Sequence, residues 1–294
     1  MEPIAVVGHV AIDRIITRGG ERRQLGGPPT YVSLVTNLLG TPLTAATKVG
    51  GDFPDAYASE LAESGLDFRG SIVPSAETTR FVLDYTNEER GLGYDSLCSP
   101  IEPRDIEVLP DATILAPIVQ EIPVETIKAL KSRVLALDPQ GFVRRLEPGG
   151  TIGLQPWRDL NLLSRLSVFK ASERELPLVA GVGGWGGLDK LFELGVKVAI
   201  ETRGGEGANI RCASGRMIVP SYTGVTVDTT GAGDAFIAGF FAEYASGEDL
   251  EWCGAVGSAA ASAVVETVGP NVKIDISELF ERAEKIRDGV RRLA

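Results

Sequence analysis

Short apolar runs alternate with segments of helical periodicity along most of the chain. The apolar runs predict strands at residues 4–7, 112–116, 134–137, 166–170 and 196–200. Apolar residues recur at helical spacing at residues 31–39, where Gly40 ends the pattern, and at residues 124–131. This alternation predicts an α/β fold with a mainly parallel sheet and helices on both faces. Open sheets of this kind bind ligands beyond the carboxyl ends of their strands.

Two polar, charged segments, residues 14–27 and 67–95, lack the helical period. Within the second segment, residues 80–85 alternate like an exposed strand. Because β-branched and aromatic residues persist in both segments, they predict a small β-lid at the edge of the main sheet rather than disordered loops. We therefore expect one domain spanning residues 1–294, from which the lid projects.

The last part of the chain predicts two further helices. Residues 254–265 are rich in Ala, Gly and Ser, which indicates a buried, tightly packed helix too short to span a bilayer. Asp275 and Glu278 have the spacing of a capping box at the start of a final amphipathic helix. Both helices are expected to contribute to the core.

Composition narrows the class of protein. The chain has 294 residues, of which 44% are apolar, so a large α/β domain can bury a sizeable core. The formal charge of −11 argues against nucleic acid or an anionic membrane as the main partner. His9 is the only histidine, which argues against multi-histidine zinc sites and Ser-His-Asp chemistry. Three widely spaced cysteines and a chain that starts directly with a strand predict a reduced, cytoplasmic protein.

The string Asp-Thr-Thr-Gly-Ala-Gly-Asp-Ala-Phe, residues 228–236, precedes a strongly helical pattern. Gly231 and Gly233 allow the main chain to approach a ligand closely, and unpaired N–H groups at a helix start favour phosphate. Asp234 lies at the same helix start. A phosphate repels a neighbouring carboxylate, so the expected use of Asp234 is to remove a proton from the group that attacks the phosphate. The alternative is that Asp234 only caps the helix and the glycines only form a turn.

The whole string resembles the signature of the ribokinase-like (PfkB) carbohydrate kinase family, in which the aspartate of G-A-G-D removes a proton from the substrate hydroxyl. The resemblance implies a ribokinase-like three-layer sandwich with a small β-lid. It also implies ATP and Mg²⁺ as cofactors, K⁺ as a further candidate cation, and a small-molecule sugar, cyclitol or nucleoside as substrate. A homodimer formed through the lid is the oligomer that it suggests. If this chain resembles the family in its mechanism, the backbone amides of Gly231, Ala232 and Gly233 hold the phosphates and Asp234 acts as the base.

Several matches near the start and middle of the chain imply an acceptor site. Asp13 follows the first strand, and an ionised carboxylate there can accept hydrogen bonds from neighbouring hydroxyls. Tyr31 stands where the family often has Asn, which counts against ribose as the substrate. The substrate-binding residues that the resemblance implies are Asp13, Gly26, Gly27, Tyr31, Glu121 and Gln140.

A second group of matches implies a site for the nucleotide and its cations. Residues 170–175 resemble the family's N-x-x-E segment with Ser172 in place of Asn, so Glu175 is implied to order Mg²⁺ and its waters. Asp228 and Thr230 are implied to form a monovalent-cation site behind the glycine turn. The implied cofactor-binding residues are Lys170, Thr202, Gly204 and Gly207, with Gly257 and Ala260 on a small-residue helix beside adenine.

These matches predict transfer of the ATP γ-phosphoryl group to a hydroxyl of a sugar or cyclitol. Gly26 and Gly27, which resemble the family's di-glycine substrate loop, look most like the myo-inositol kinase branch when taken together with Tyr31 and the segments 138–141 and 169–172. A nucleoside kinase on the same scaffold is the alternative. A non-catalytic sugar or nucleotide sensor is a weaker one, because a sensor has no use for Asp234.

A glycine-rich segment supports a different class of protein, an NAD-dependent oxidoreductase. Residues 181–186 satisfy G-x-G-x-x-G and are followed by Glu201 at the end of a strand. Pro177 lies in the strand that this motif would require, and the helix expected at residues 188–194 is short for a crossover. The segment is therefore expected to be a flexible surface loop.

Overall fold

Strands with apolar side chains on both faces form the centre of the protein. The computed structural model describes residues 1–66, 71–86 and 91–293, and within these residues the largest sheet has nine strands. Six neighbouring strands are parallel. In spatial order they are β4 (Leu43–Ala46), β1 (Ile4–Val7), β9 (Ala112–Leu115), β10 (Val134–Leu137), β13 (Val168–Ser172) and β14 (Val198–Thr202).

Five of these strands correspond to the predicted apolar runs, with small shifts. The bounds of β1 and β10 are as predicted, whereas β13 and β14 begin and end two residues later than predicted. Leu166 and Val196 are buried but precede the strands. An apolar run indicates burial and does not mark where backbone pairing begins, which explains the shift.

Antiparallel strands extend the main sheet at one edge, and two small strand pairs, one parallel and one antiparallel, lie elsewhere. The edge next to β14 continues with β15 (Ala208–Cys212), β16 (Gly215–Val219) and β17 (Arg291–Leu293). Two strand pairs lie outside it, β5 (Val49–Gly50) with β6 (Ile72–Val73) and β11 (Arg144–Leu146) with β12 (Ile152–Leu154). These additions make the sheet mixed but leave its centre parallel.

A separate small sheet corresponds to the predicted lid, and we call it the lid sheet. In spatial order its described strands are β3 (Gly20–Gly26), β2 (Ala11–Thr17), β7 (Arg80–Asp84) and β8 (Gly91–Ser96). The lid sheet begins at Ala11, before the predicted start at residue 14. Phe81 and Leu83 are buried on one face of β7, as the alternation of residues 80–85 predicts. Residues 67–70 and 87–90 of the second predicted segment lie outside the described residues. The assignment of the whole chain to one domain stays a prediction.

Helices cover both faces of the main sheet. In chain order they are α1 (Pro28–Leu39), α2 (Asp55–Glu63), α3 (Val124–Ala129), α4 (Gln140–Val143), α5 (Leu160–Leu163), α6 (Leu176–Ala180), α7 (Gly184–Glu193), α8 (Ala232–Ala245), α9 (Leu250–Val265) and α10 (Ile276–Asp288). Successive side chains of a strand point to opposite faces. Accordingly Ile4 and Val6 pack with α1, α8, α9 and α10, whereas Val7 and Leu115 pack with α3 to α7. The three-layer α/β fold is confirmed.

The prediction of a flexible loop at residues 181–186 is wrong. Gly181 ends α6 with φ +82°, and α7 begins at Gly184. Glu201 accepts a hydrogen bond from the Gly184 N–H group over 2.9 Å, which ties the segment to β14. The run that the oxidoreductase motif required as a strand is helix α6. The motif therefore lacks the strand–turn–helix context of a dinucleotide-binding site.

The C-terminal helices agree with the sequence prediction. Residues 254–265 lie within α9 and are largely buried, and α10 begins after Asp275, whose carboxylate accepts a hydrogen bond from the Glu278 N–H group. Among the described residues, no helix is both long enough and apolar enough to cross a membrane.

Candidate active site

A glycine turn, which we call the anion loop (residues 228–233), leads into α8 at the carboxyl edge of the sheet. Gly231 is the residue before the helix and has φ +80°, a conformation that favours glycine. Its Cα atom lies against the ring of Tyr31, so a Cβ atom there would overlap the ring. At Gly233 a Cβ atom would lie 2.6 Å from Lys170 Nζ. Gly231 therefore leaves no space for a side chain, and a side chain at position 233 would displace the Lys170 ammonium group.

Two cavities meet at the anion loop. The first, the lid-side cavity, has a volume of about 290 Å³ and the second, the helix-side cavity, about 320 Å³. The lid-side cavity is lined by residues of the lid sheet, of α1 and of the strand ends, among them Asp13, Gly27, Tyr31, Phe81, Leu83, Leu92, Gln140, Arg144, Lys170, Glu175 and Asp234. Thr202, Thr229 and Gly233 line both cavities. Ligands in the two cavities would thus approach each other at Gly233.

Asp234 lies at the junction on the lid side. The residue is buried, and its Oδ1 atom has no hydrogen-bond partner within the described part of the chain. Helix capping therefore does not account for this carboxylate. Burial and the nearby Asp138 carboxylate raise the pKa of Asp234 to about 7, although Lys170 and Arg144 oppose the shift. A carboxyl group with a pKa near neutrality suits a general base.

Lys170 supplies buried positive charge beneath the anion loop. Its Nζ atom donates a hydrogen bond to Asp138 Oδ2 over 2.5 Å, and both side chains are almost completely buried. Burial opposes the charge, but the Asp138, Glu175 and Asp234 carboxylates hold the pKa of Lys170 above its ordinary value. The ammonium group therefore stays charged and offsets the carboxylates that surround it.

Glu175 lies in the same cluster and lines the lid-side cavity. Burial opposes its ionisation, but Lys170 and two hydrogen bonds from Ser172 keep the pKa of Glu175 below its ordinary value. Both hydrogen bonds, from Ser172 N at 2.9 Å and Ser172 Oγ at 2.7 Å, go to Oε2. Ser172, which stands where the family's motif has Asn, thus holds the Glu175 carboxylate.

Four of the predicted substrate residues line the lid-side cavity: Asp13, Gly27, Tyr31 and Gln140. Gly26 lies against the Asp13 carboxylate, where a Cβ atom would overlap it, and so allows that carboxylate its position. Tyr31 is almost completely buried, and this burial, with the Asp13 and Asp234 carboxylates, raises the pKa of its phenol. The phenol is therefore neutral in the working pH range.

The structure places Glu121 differently from the prediction of a substrate ligand. Its buried carboxylate accepts hydrogen bonds from the N–H groups of His9 (3.1 Å), Ile118 (2.8 Å) and Val119 (2.7 Å). Buried N–H groups need acceptors, and these three lie beyond the ends of β1 and β9, outside the strand pairing. Glu121 therefore holds the loop after β9 in shape, and its acceptor capacity is committed to the backbone.

Lys170, one of the six predicted nucleotide residues, lines the lid-side cavity, and only three of the others line the helix-side cavity. Thr202, Gly204 and Gly207 line this cavity. Gly257 and Ala260 instead face α8, since a Cβ atom at 257 would lie 2.8 Å from the carbonyl oxygen of Phe236, and Ala260 is buried. The sequence indicated the right helix but the wrong side of it, because neighbouring residues on a helix point in very different directions. The residues of α9 that line the cavity are Ser258, Ala261 and Ser262.

The carboxylate of Asp228 is paired with a side chain of the lid sheet. Arg22 Nη2 lies 2.8 Å from Asp228 Oδ2, and the Thr230 N–H group donates to Asp228 Oδ1 over 3.0 Å. The Thr230 hydroxyl is buried and has no hydrogen-bond partner within the described ranges. Among residues 1–66, 71–86 and 91–293, no group of three or more His, Cys, Asp or Glu side chains is arranged to hold a metal ion.

Arg144, Leu83 and Leu92 line the lid-side cavity but were not predicted from the sequence as site residues. Arg144 Nη1 donates to the carbonyl oxygen of Ile118 over 2.9 Å, and the guanidinium lies 5.6 Å from the centre of the Phe81 ring. The apolar wall comes from Phe81, Leu83 and Leu92 of the lid sheet. The signal available for Arg144 was a basic residue just after the polar segment 138–141 at a strand end.

Comparison with known proteins agrees with this geometry. Residues 152–276, which include the anion loop, match the pfkB family of carbohydrate kinases. The chain is 28% identical to a cytidine kinase from Thermococcus kodakarensis, over 92% of this chain and 98% of that protein. It is also 28% identical to an inositol 3-kinase from Oryza sativa subsp. japonica, over 95% of this chain and 74% of that protein.

Solved structures share the fold over nearly the whole chain. A pyrophosphate-dependent kinase in the ribokinase family, complexed with a pyrophosphate analog and myo-inositol, superposes with a TM-score of 0.81. The superposition covers 95% of this chain and 99% of the chain of that kinase, and the two sequences are 22% identical. These findings show that the chain has a ribokinase-like fold with a pfkB family carbohydrate kinase match over residues 152–276, and the related kinases indicate a phosphotransferase whose acceptor is an alcohol group.

Proposed function

We propose that the protein transfers the γ-phosphoryl group of ATP to a hydroxyl group of a sugar or cyclitol, with a myo-inositol-like acceptor favoured. The observation that carries this proposal is the meeting of two cavities at Gly233 with Asp234 on the lid side. ATP binds in the helix-side cavity with its phosphates directed at the anion loop. The acceptor binds in the lid-side cavity beneath the lid sheet.

Phosphoryl transfer depends mainly on alignment and on stabilisation of charge. The acceptor oxygen attacks the γ-phosphorus, the bond from that phosphorus to the bridging oxygen breaks, and ADP leaves. Asp234 Oδ1 takes the proton of the attacking hydroxyl. The backbone N–H groups of Gly231, Ala232 and Gly233 stabilise the charge on the transferred group.

Lys170 and Glu175 support the same step from beneath the anion loop. The Lys170 ammonium, held by Asp138, keeps the carboxylate-rich cluster from repelling the phosphates. Glu175 is ionised and lines the cavity, which fits the few carboxylates that Mg²⁺ takes from a kinase. When bound, Mg²⁺ neutralises charge on the donor phosphates. Asp13 and Gln140 line the lid-side cavity and bind the acceptor through hydrogen bonds with its hydroxyl groups.

A nucleoside acceptor is the second candidate, and one observation favours it. Phe81, Leu83 and Leu92 of the lid sheet form an apolar wall of the lid-side cavity. A nucleobase can pack on such a wall, whereas a small polyol makes less use of apolar contacts. The similarity to a cytidine kinase supports this reading, whereas the similarity to an inositol 3-kinase supports the first. The cytoplasmic location and a homodimer through the lid sheet stay predictions.

A coupled ADP-release assay with myo-inositol, cytidine and fructose separates these functions. We expect ADP release with myo-inositol and a phosphorylated polyol by mass spectrometry. Release only with cytidine would replace the first proposal by the second. Repeating the assay with pyrophosphate as donor, by phosphate release, tests the assignment of ATP. Binding of NAD without ADP release from any acceptor would contradict both kinase functions.

A further inference from the structure

The site behind the anion loop does not fit the monovalent cation that the family resemblance implied. Both oxygens of Asp228 are already committed: Oδ2 to Arg22 Nη2 at 2.8 Å, and Oδ1 to the Thr230 N–H group at 3.0 Å. The Gly269 N–H group lies 3.5 Å from Oδ2 as well. An alkali cation needs several oxygen ligands in place of its water shell. The Thr230 hydroxyl is one such oxygen, but the adjacent guanidinium repels a cation.

Arg22 is held in this position by the strand that carries it. It lies in β3, paired with Ile15 of β2, and its Nε atom donates to Gln24 Oε1 over 3.2 Å. Gln24 is itself buried, so the bond is anchored. Arg22 and Asp228 are 206 residues apart in the chain, and only 12% of the Asp228 side chain is exposed. The pair therefore joins the lid sheet to the anion loop at a largely desolvated carboxylate.

We propose that the guanidinium of Arg22 takes the place of a monovalent cation behind the anion loop, so that turnover does not depend on K⁺. Arg22 neutralises Asp228, which would otherwise oppose phosphates held by the loop, and it fixes the loop through a charged hydrogen bond. It acts through Asp228 and the loop and does not touch the reacting atoms, so it is a positioning residue. This inference rests on the proposed phosphoryl transfer.

The test compares salts of K⁺, Na⁺ and choline at constant ionic strength. For the unmodified protein we expect kcat values within about twofold of each other and melting temperatures that K⁺ does not raise above choline. Arg22→Gln is expected to lose about tenfold in kcat, since a charged hydrogen bond to the loop is removed. Potassium should restore part of this loss and raise the melting temperature of Arg22→Gln specifically, because the carboxylate is then open to a cation.

Two further variants keep the test decisive. Arg23→Gln makes the same change of charge at the next residue of β3, whose side chain is exposed, and should behave like the unmodified protein. If Arg22→Gln does not fold, Arg22→Lys serves as the second variant. It keeps the positive charge, so its turnover should remain independent of K⁺. The proposal is overturned if K⁺ activates the unmodified protein more than about threefold, raises its melting temperature above choline, or if Arg22→Gln matches Arg23→Gln. If no acceptor yields ADP, the proposed function fails, while melting still decides the question of the cation.

Discussion

The aromatic ring of Tyr31 lies against the Cα atom of Gly231, so that helix α1 packs directly against the anion loop. Gly231 also has φ +80°, and its neighbour in space is an almost completely buried aromatic ring. The loop's shape thus depends on two independent requirements for glycine, one of backbone conformation and one of space.

Gly231→Ala tests this relationship. We expect a loss in free energy of unfolding of about 2–5 kcal/mol, from the left-handed conformation and the overlap with Tyr31 together. Gly247→Ala is the matched control, since Gly247 has φ +89° at the other end of α8 but nothing within 4 Å of the added carbon. Its loss should be only about 1–2 kcal/mol. Equal losses in urea unfolding would show that the contact with Tyr31 is unimportant.

Asp234→Asn should separate activity from stability. Turnover is expected to fall by about 10²- to 10⁴-fold, because the general base is lost. The free protein should become more stable at pH 8, by up to about 4 kcal/mol, since a pKa near 7 means that ionising the buried carboxyl costs stability. The contribution of Asp234 to stability is fully present below its unfolded pKa and is lost as pH rises through about 7. The gain in the variant therefore grows between about pH 4, the ordinary pKa of Asp, and about pH 7, and levels off at higher pH.

Asp275→Asn is the matched control for that experiment. Asp275 caps α10, where Asn serves as well as Asp, so both turnover and melting temperature should stay close to those of the unmodified protein. Turnover of Asp234→Asn within about twofold of the original would remove Asp234 from the role of base. Destabilisation at pH 8 would show that its charge is favourable in the folded state.

The pH dependence of kcat/KM gives a separate measure of Asp234. The base must be ionised to accept a proton, so kcat/KM should rise with pH and level off above a midpoint near 7. Below the midpoint the rate should fall about tenfold per pH unit. The residual rate of Asp234→Asn, measured over the same range, reports any titration of the donor phosphates. A midpoint near 4, or the same curve in the variant, would contradict the raised pKa.

Leu83→Ala tests the lid sheet as a cover for the acceptor. Leu83 is buried and lines the lid-side cavity, so we expect the KM of the acceptor to rise about tenfold and that of ATP to change by less than about twofold. Val82→Ala, on the other face of β7, is the control and should change neither value. Equal increases in both KM values for Leu83→Ala would mean that the lid sheet does not act on the acceptor alone.

The main elements and the anion loop could be predicted from the sequence because their signals are local. Short apolar runs between helical segments predicted five of the six parallel strands. The two glycines before a helical pattern predicted the start of α8. The position of Asp234 at the start of this helix could be predicted for the same reason, whereas its unpartnered Oδ1 atom, which argues against a capping role, is visible only in the structure. These features depend on backbone conformation and on residues within a few positions of each other.

The partners of buried polar groups could not be predicted in the same way. Glu121 has the residue type of a substrate ligand, yet N–H groups of the loop after β9 and of His9 occupy its carboxylate. Gly257 and Ala260 belong to the expected helix, but the packing of α9 on α8 turns them away from the helix-side cavity. Which side of an element faces a ligand depends on the elements packed against it.

The sequence by itself determined the α/β alternation, the conformation of the anion loop and the presence of an acid at its end. Tertiary structure alone decided that Arg22 meets Asp228, that Lys170 lies under Gly233, and that two cavities join there. The physical reason is one of range. Torsion angles and periodicity act over a few residues, whereas charge pairing and cavity shape depend on strands and helices brought together from distant parts of the chain.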